Sequence, residues 1–115
     1  MSSCESGVCV SELKSMTQFN DIVSGAKLVI IMFRAPWCGI CVTTTPLFDD
    51  IARLADRSKV TFYYVDTEKH GPMEVALQLN IREIPTFKAY KNKCCVGEVV
   101  GINTAGLKNL VDDNV

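Results

Sequence analysis

The chain has 115 residues, 48% of them hydrophobic and 22% charged, an ordinary globular composition that predicts one domain with a substantial core. Its formal net charge of −1 excludes an electrostatic basis for binding nucleic acid or an anionic membrane surface. The longest wholly apolar run, residues 28–33, is far shorter than the roughly 20 residues that cross a bilayer.

The first residues lack the basic segment and apolar stretch of a secretory signal, which predicts a cytoplasmic protein. We expect one domain over residues 1–115, with residues 1–12 as a mobile N-terminal arm. The chain has six cysteines, but a protein with this much apolar material does not need a disulfide scaffold. In a reducing compartment these cysteines are catalytic, metal-binding or free thiols.

The first half of the chain predicts a helix, a buried strand and a longer helix. Ser15 and Gln18 have the spacing of a capping box, so a helix should begin there. Residues 28–33 show no alternation of apolar and polar residues, as expected of a strand covered on both faces. The longer helix should begin in the second half of residues 37–41. Pro46 should kink it, because proline removes a backbone donor.

The second half predicts another strand, a short helix and a hairpin. Residues 60–65 are rich in β-branched and aromatic side chains, which favour a strand. Pro72 suits the first turn of a short helix, and Asn80 suits its C-terminal cap. Residues 86–90 and 96–100 are predicted to pair as an antiparallel hairpin through the five residues between them.

Two further elements complete the predicted order. Thr104 is placed to cap a last helix, and a short edge strand is expected within residues 8–13. Strands that alternate with helices and end in a hairpin give an α/β fold. We expect a central mixed sheet of four to five strands, flanked by helices on both faces.

The segment Trp37-Cys38-Gly39-Ile40-Cys41 has the residue types needed for disulfide exchange. Cys38 should lie at the start of a helix, where unpaired N–H groups and the helix dipole favour the attacking thiolate. Cys41 follows three residues later on the same helical face, so it can resolve a mixed disulfide. Gly39 leaves the nucleophile approachable, and Trp37 adds an amphipathic surface beside it.

Two other interpretations of this C-x-x-C remain open at this point. It could be half of a zinc site, although a tetrahedral site needs four ligands. The chain has no second C-x-x-C and a single histidine, His70, in a polar segment. The two thiols could also be buried and inert, but Trp37 and the strand-to-helix context argue against this.

A wider set of residues accompanies the motif: Phe33-Arg34-Ala35-Pro36-Trp37-Cys38-Gly39-Ile40-Cys41, Pro46, Val65-Asp66, Ile84-Pro85-Thr86 and Gly101. Together they resemble thioredoxin over nearly the whole chain, from about Ser15 to the end. The resemblance implies a thioredoxin fold and an oxidoreductase that reduces disulfides of protein substrates. Cys38 would be the nucleophile and Cys41 the resolving thiol. No bound cofactor or metal is implied, and an NADPH-dependent thioredoxin reductase would recycle the protein.

The resemblance also implies a docking surface for the substrate. In that family the proline matching Pro85 is cis and lies against the disulfide, and the preceding residue, here Ile84, offers backbone hydrogen bonds to the substrate chain. Glu83 would place a negative charge at the rim of the surface. The apolar patch that receives partners would consist of Trp37, Gly39, Ile40, Ile84, Gly101 and Ile102.

Several positions depart from the family pattern. Ile40 stands where most thioredoxins have proline, a replacement that tends to make the pair more oxidising. Met32 replaces a buried Asp that helps move the proton of the resolving thiol, and Phe62 replaces the lysine that accompanies it. We therefore expect a wholly apolar region under the site, a disfavoured thiolate at Cys41 and slow resolution of mixed disulfides. Arg34 either faces solvent or stabilises the nucleophilic thiolate.

The other four cysteines are predicted to be free surface thiols. Cys4 and Cys9 would belong to the N-terminal arm, whereas Cys94 and Cys95 would lie at the hairpin turn. Accessible thiols are also sites of oxidation. An alternative is therefore regulation, or a disulfide-linked dimer of an otherwise monomeric protein through Cys94 or Cys95.

Two other functions compete with disulfide reduction. A more oxidising disulfide oxidase or isomerase is allowed by Ile40. A non-catalytic binding module could use the patch around Trp37, Ile84 and Ile102, but the chain retains both motif cysteines.

Overall fold

The computed structural model describes residues 9–115, in which five strands and four helices follow the predicted α/β order. None of these helices has both the length and the apolar character that a membrane crossing requires. The elements are β1 (Val10–Glu12), α1 (Met16–Val23), β2 (Leu28–Arg34), α2 (Gly39–Leu54), β3 (Val60–Asp66), α3 (Pro72–Gln78), β4 (Thr86–Lys91), β5 (Cys94–Val100) and α4 (Thr104–Asp112).

The strands form one mixed sheet in the order β1-β3-β2-β4-β5. The central strand β2 runs parallel to β3 and antiparallel to β4. β1 pairs with β3 in parallel, and β4 pairs with β5 as an antiparallel hairpin. Residues Leu28–Phe33 of β2 are all buried, which accounts for the apolar run in the sequence.

Helices cover both faces of the sheet, as predicted. On one face, α2 and α4 pack over alternate residues of the strands, and Phe48 lies edge-on to Phe62 with ring centroids 5.6 Å apart. On the other face, α1 and α3 pack against the intervening residues. There Phe19 meets Tyr90 edge-on at 5.1 Å. The sheet therefore separates two apolar cores, each closed by two helices.

Residues 10–12, which were predicted to be part of a mobile arm over residues 1–12, form a strand of the sheet. The strand β1, Val10–Glu12, pairs with Phe62–Tyr64 of β3, and Leu13 is fully buried. Cys9 is buried and disulfide-bonded, so the prediction of a free surface thiol is wrong for this residue. Cys4 lies outside the described residues.

The hairpin is tighter than predicted. Its turn is Asn92–Lys93, with φ of 54° and 70°, so the strands extend to Lys91 and begin again at Cys94. Two consecutive residues in the left-handed region form the turn whose twist matches that of antiparallel strands. Cys94 and Cys95 consequently lie within β5 and not in the turn.

The helix starts are set by side-chain caps. The Ser15 hydroxyl accepts from the Gln18 N–H at 3.1 Å, and the Gln18 side chain accepts from the Lys14 N–H at 2.8 Å, which confirms the helix start predicted from this spacing. The predicted cap at Thr104 is wrong. Asn103 caps α4, because its side-chain oxygen accepts from the Gly106 N–H at 2.8 Å and leaves Thr104 as the first helical residue.

Candidate active site

The C-x-x-C motif lies where β2 gives way to α2. Cys38 is the N-cap of α2, and its Sγ accepts a hydrogen bond from the Cys41 N–H at 3.1 Å. The Cys38 N–H donates to the Ala35 carbonyl at 3.1 Å, which fixes the turn that leads into the helix. Both cysteines are free and largely buried, with 7% and 2% of their surfaces exposed. A hydrogen bond also links the two thiols.

Cys41 is held in its protonated form by its surroundings. It packs in the same apolar cluster as Met32 and Phe62, which are both buried. Burial, followed by the hydrogen bond with the Cys38 side chain, raises the pKa of Cys41 to about 11. A backbone hydrogen bond with Ala35 acts in the opposite direction. The predicted disfavoured thiolate at Cys41 is confirmed.

The region under the site is apolar, as predicted, but this character does not extend to the flank of Cys41. A cavity of about 270 Å³ opens there, and Arg34, Thr45, Tyr64 and Asp66 contribute polar groups to its lining. Three of these residues come from β2 and β3, where the register places Arg34 opposite Asp66. The site is therefore apolar beneath Cys41 and polar beside it.

The prediction that Arg34 faces solvent is wrong, whereas a role in stabilising the Cys38 thiolate stays a prediction. Arg34 is half-buried, its guanidinium carbon lies 3.8 Å from the centroid of the Tyr64 ring, and Nη1 donates to the Thr45 hydroxyl at 3.0 Å. A solvent-facing cation would not have these contacts. The side chain lines the cavity that opens on Cys41, the second cysteine of the motif.

The Ile84–Pro85 bond is cis, and Pro85 is buried directly before β4. The Gly101 N–H donates to the Pro85 carbonyl at 2.8 Å, which ties the end of β5 to this loop. Gly101 has φ of 81°, a conformation that favours glycine over residues with a Cβ. Glu83 is exposed beside Ile84, and its carbonyl accepts from the Thr86 hydroxyl.

The residues predicted for docking are mostly exposed. Trp37 is 69% exposed, and Ile40 and Ile102 are each 52% exposed. Gly39 is exposed as well, and Ile84 is half-buried. Trp37 and Ile84 line a common groove of about 300 Å³, whereas Ile102 lies outside its walls, next to Gly101.

Two exposed apolar residues of this groove are not among the docking residues predicted from the sequence. Met73 and Leu77 of α3 line it together with Trp37, and they are 40% and 71% exposed. The signal was available, because two apolar residues four positions apart lie on one face of a helix while Val75 and Ala76 are buried in the core. Among residues 9–115, no three His, Cys, Asp or Glu side chains are grouped in a way that could hold a metal ion.

Comparison with known proteins gives one consistent result. The family model for thioredoxin matches residues 10–113. Thioredoxin 1 of Plasmodium falciparum is 35% identical over 103 residues, which cover 90% of this chain and 95% of that protein. Thioredoxin-2 of Saccharomyces cerevisiae is 34% identical over 107 residues, covering 92% and 99%.

Solved structures give the same result. The crystal structure of Malassezia sympodialis thioredoxin superposes with a TM-score of 0.84 at 33% identity, and the match covers 91% of this chain and 90% of that one. The five-stranded sheet and its four helices are therefore a thioredoxin fold.

Proposed function

Because the chain belongs to the thioredoxin family and is a thiol-disulfide oxidoreductase, we propose that it reduces disulfide bonds of protein substrates through Cys38 and Cys41. The observation that carries this proposal is the position of Cys38 at the N-cap of α2, in hydrogen-bond contact with Cys41. A sulfur at a helix start receives backbone N–H groups and the positive end of the helix dipole, and both favour an anion.

The proposed reaction has two exchange steps. The Cys38 thiolate attacks one sulfur of a substrate disulfide, forming a mixed disulfide and expelling the other substrate sulfur as a thiolate. Cys41 then loses its proton and attacks Cys38 Sγ, which releases the second substrate sulfur and leaves a Cys38–Cys41 disulfide. Two electrons pass from the protein to the substrate. The two sulfurs hold both electrons, so neither step requires a bound cofactor or metal.

The substrate would dock on the exposed surface around Cys38. Trp37 and Ile84 form walls of the groove, and Ile40 and Ile102 extend the exposed apolar area around the motif. In this proposal Gly39 leaves an approach to Cys38, since a Cβ there would have no neighbour within 4 Å. The remaining docking contacts would come from Pro85 and Gly101, which are hydrogen-bonded to each other.

Recycling would require a reductase that converts the Cys38–Cys41 disulfide back to the dithiol. Membership of the family supports a thioredoxin reductase in this role, with electrons from NADPH. We propose that the protein acts as a monomeric electron carrier in the cytoplasm and contributes to cell redox homeostasis there.

Reductase-coupled reduction of insulin tests the proposal. The reduced protein should turn over insulin with NADPH and thioredoxin reductase, and Cys38→Ser should abolish the turnover. The variant with both Cys94→Ser and Cys95→Ser is the matched control, because it removes two other free thiols and should retain activity. Turnover only with glutathione would favour a more oxidising oxidase or isomerase. No turnover of the folded protein would favour a binding module.

A further inference from the structure

The cavity beside Cys41 supplies charge where the buried layer beneath the cysteine has none. Met32 and Phe62 pack under the site and do not ionise. The cavity of about 270 Å³ instead brings the guanidinium of Arg34 to the flank of the thiol. A proton that leaves Cys41 can therefore pass into this polar cavity, and the thiolate that remains lies beside the positive charge of Arg34.

Arg34 is held in this cavity by contacts with three elements. Its backbone belongs to β2, its guanidinium stacks on Tyr64 of β3 at 3.8 Å, and Nη1 donates to the Thr45 hydroxyl of α2 at 3.0 Å. That hydroxyl in turn donates to the Cys41 carbonyl at 2.8 Å. The cation is thus connected, through one side chain, to the first turn of α2 that holds the resolving cysteine.

We propose that Arg34 is a positioning residue of the resolving step, with its cation favouring the Cys41 thiolate while Cys38 is engaged in the mixed disulfide. The inference rests on the proposed function, since it concerns the second exchange step. In that step Cys41 releases its proton to water in the cavity, and its sulfur bonds to Cys38 Sγ. The bond from Cys38 to the substrate sulfur breaks, and the substrate leaves with the electron pair as a thiolate.

The balance of effects on Cys41 changes when the mixed disulfide forms. In the dithiol, the hydrogen bond with Cys38 and the charge of Cys38 both raise the pKa of Cys41, after burial as the largest cause. A Cys38 sulfur in a disulfide carries no charge, so the charge effect disappears and the sulfur becomes a weaker hydrogen-bond acceptor. Burial then opposes the thiolate, while the Ala35 backbone and the Arg34 charge favour it.

Other titratable groups share the field of Arg34. Asp66 and Tyr64 of β3 line the same cavity. Asp49 lies further along α2, where burial raises the pKa of its carboxyl and the charges of Arg34 and Arg53 lower it. None of these acidic groups is among the causes that raise the pKa of Cys41, whereas the Arg34 charge is among those that lower it.

The test uses Cys38→Ser, in which a neutral group replaces the first thiol, as it does in the mixed disulfide. The alkylation rate of Cys41 by iodoacetamide is followed from pH 6 to 12 by mass spectrometry of the peptide that contains it. The midpoint of this pH dependence reports the pKa of Cys41. Adding Arg34→Gln should raise that midpoint by about one pH unit, which is a roughly tenfold loss of Cys41 thiolate at pH 8. Arg34→Lys should retain most of the effect. Arg53→Gln is the matched control, an exposed arginine of α2 paired with Asp50 that should leave the midpoint unchanged.

An unchanged midpoint in folded Arg34→Gln would overturn the inference, and so would an equal shift in Arg53→Gln. If Arg34→Gln does not fold, Thr45→Val in the Cys38→Ser protein decides. It removes the hydroxyl that accepts from Arg34 Nη1, so the alkylation midpoint of Cys41 should rise, and no movement would contradict the proposal. The alkylation measurements do not require catalytic turnover. They therefore test the role of Arg34 separately from insulin reduction, which tests the proposed function.

Discussion

The pair Cys38/Cys41 and the pair Cys94/Cys95 differ in accessibility and in geometry. Accessibility favours reaction at Cys94 and Cys95, whereas geometry favours disulfide exchange at Cys38 and Cys41. Cys94 and Cys95 are exposed on the edge strand β5, whereas Cys38 and Cys41 are almost completely buried. Adjacent residues in a strand point to opposite faces, so neighbouring thiols there cannot readily reach each other. Residues three apart in a helix share a face, and here a hydrogen bond joins their thiols.

For disulfide exchange, a second sulfur within reach matters more than exposure of the first. An exposed thiol without a neighbouring sulfur can form a mixed disulfide but depends on another molecule to resolve it. In the proposed reaction, the buried pair completes the exchange within one protein. Burial, which raises the pKa of Cys41 to about 11, would keep this thiol protonated until the first sulfur has reacted.

The largest expected effect comes from removing the resolving sulfur. Cys41→Ser should reduce multiple-turnover insulin reduction by about a thousandfold or more, because intramolecular resolution has an effective concentration that free thiols do not match. The variant should instead accumulate a covalent mixed disulfide with the substrate, visible as a reducible band on gels. Cys94→Ser in the same background should leave that band in place. Loss of the band with Cys94→Ser would assign the attack to the exposed pair.

Alkylation at a fixed pH compares the two pairs directly. In the reduced wild type, Cys41 should react with iodoacetamide at least a hundredfold more slowly than Cys94 at pH 8. A pKa raised from 9.0 to about 11 leaves roughly a hundredth of the usual thiolate. Because the pKa of Cys41 is raised, its alkylation rate should keep rising about tenfold per pH unit until near pH 11. A rate that levels off near pH 9 would contradict the burial effect.

The exposed position between the two motif cysteines should tune the potential of the buried pair. Ile40→Pro should lower the reduction potential by about 30 mV, a tenfold change in the exchange equilibrium. Ile40 is 52% exposed, so the change should not disturb the core. Equilibration with a glutathione buffer, read by alkylation and mass, measures the shift. An unchanged or higher potential would refute the view that Ile40 makes this protein a weaker reductant than a Cys-Gly-Pro-Cys protein.

The smallest effect on activity is expected at the exposed pair. Cys94→Ser with Cys95→Ser should change insulin reduction by less than about twofold. The same change should remove a disulfide-linked dimer that the wild type forms under mild oxidant, because exposed thiols that cannot pair internally react between molecules. Non-reducing gels test this directly. A dimer that persists in the double variant would place the intermolecular link at another cysteine.

The sequence was sufficient for the features that depend on local spacing. The capping pair Ser15 and Gln18, the apolar run of β2 and the three-residue step from Cys38 to Cys41 each give a local signal. The strands and helices follow in the predicted order for the same reason.

Features that depend on strand register or on residues distant in the sequence could not be predicted from local spacing. The environment of Arg34 is created by Tyr64 and Asp66, which reach it only through the β2–β3 register. The turn at Asn92–Lys93 was misjudged because neither residue is glycine, yet both adopt positive φ. Backbone bonds to the end of α1 accompany this turn, since the Lys93 N–H donates to the Val23 carbonyl at 2.8 Å.

The tight hairpin also determines where a reporter group can be attached. Strands rise about 3.4 Å per residue, so β4 and β5 hold Cys94 and Cys95 about 20 Å along the sheet from the Pro85 loop. A fluorophore or spin label on either thiol would therefore sit well outside the docking groove. Gly97 is unsuitable as an attachment site, because a Cβ there would lie 2.4 Å from Leu110 Cδ1 of α4. Cys94 and Cys95 are thus natural labelling sites for following partner binding in solution.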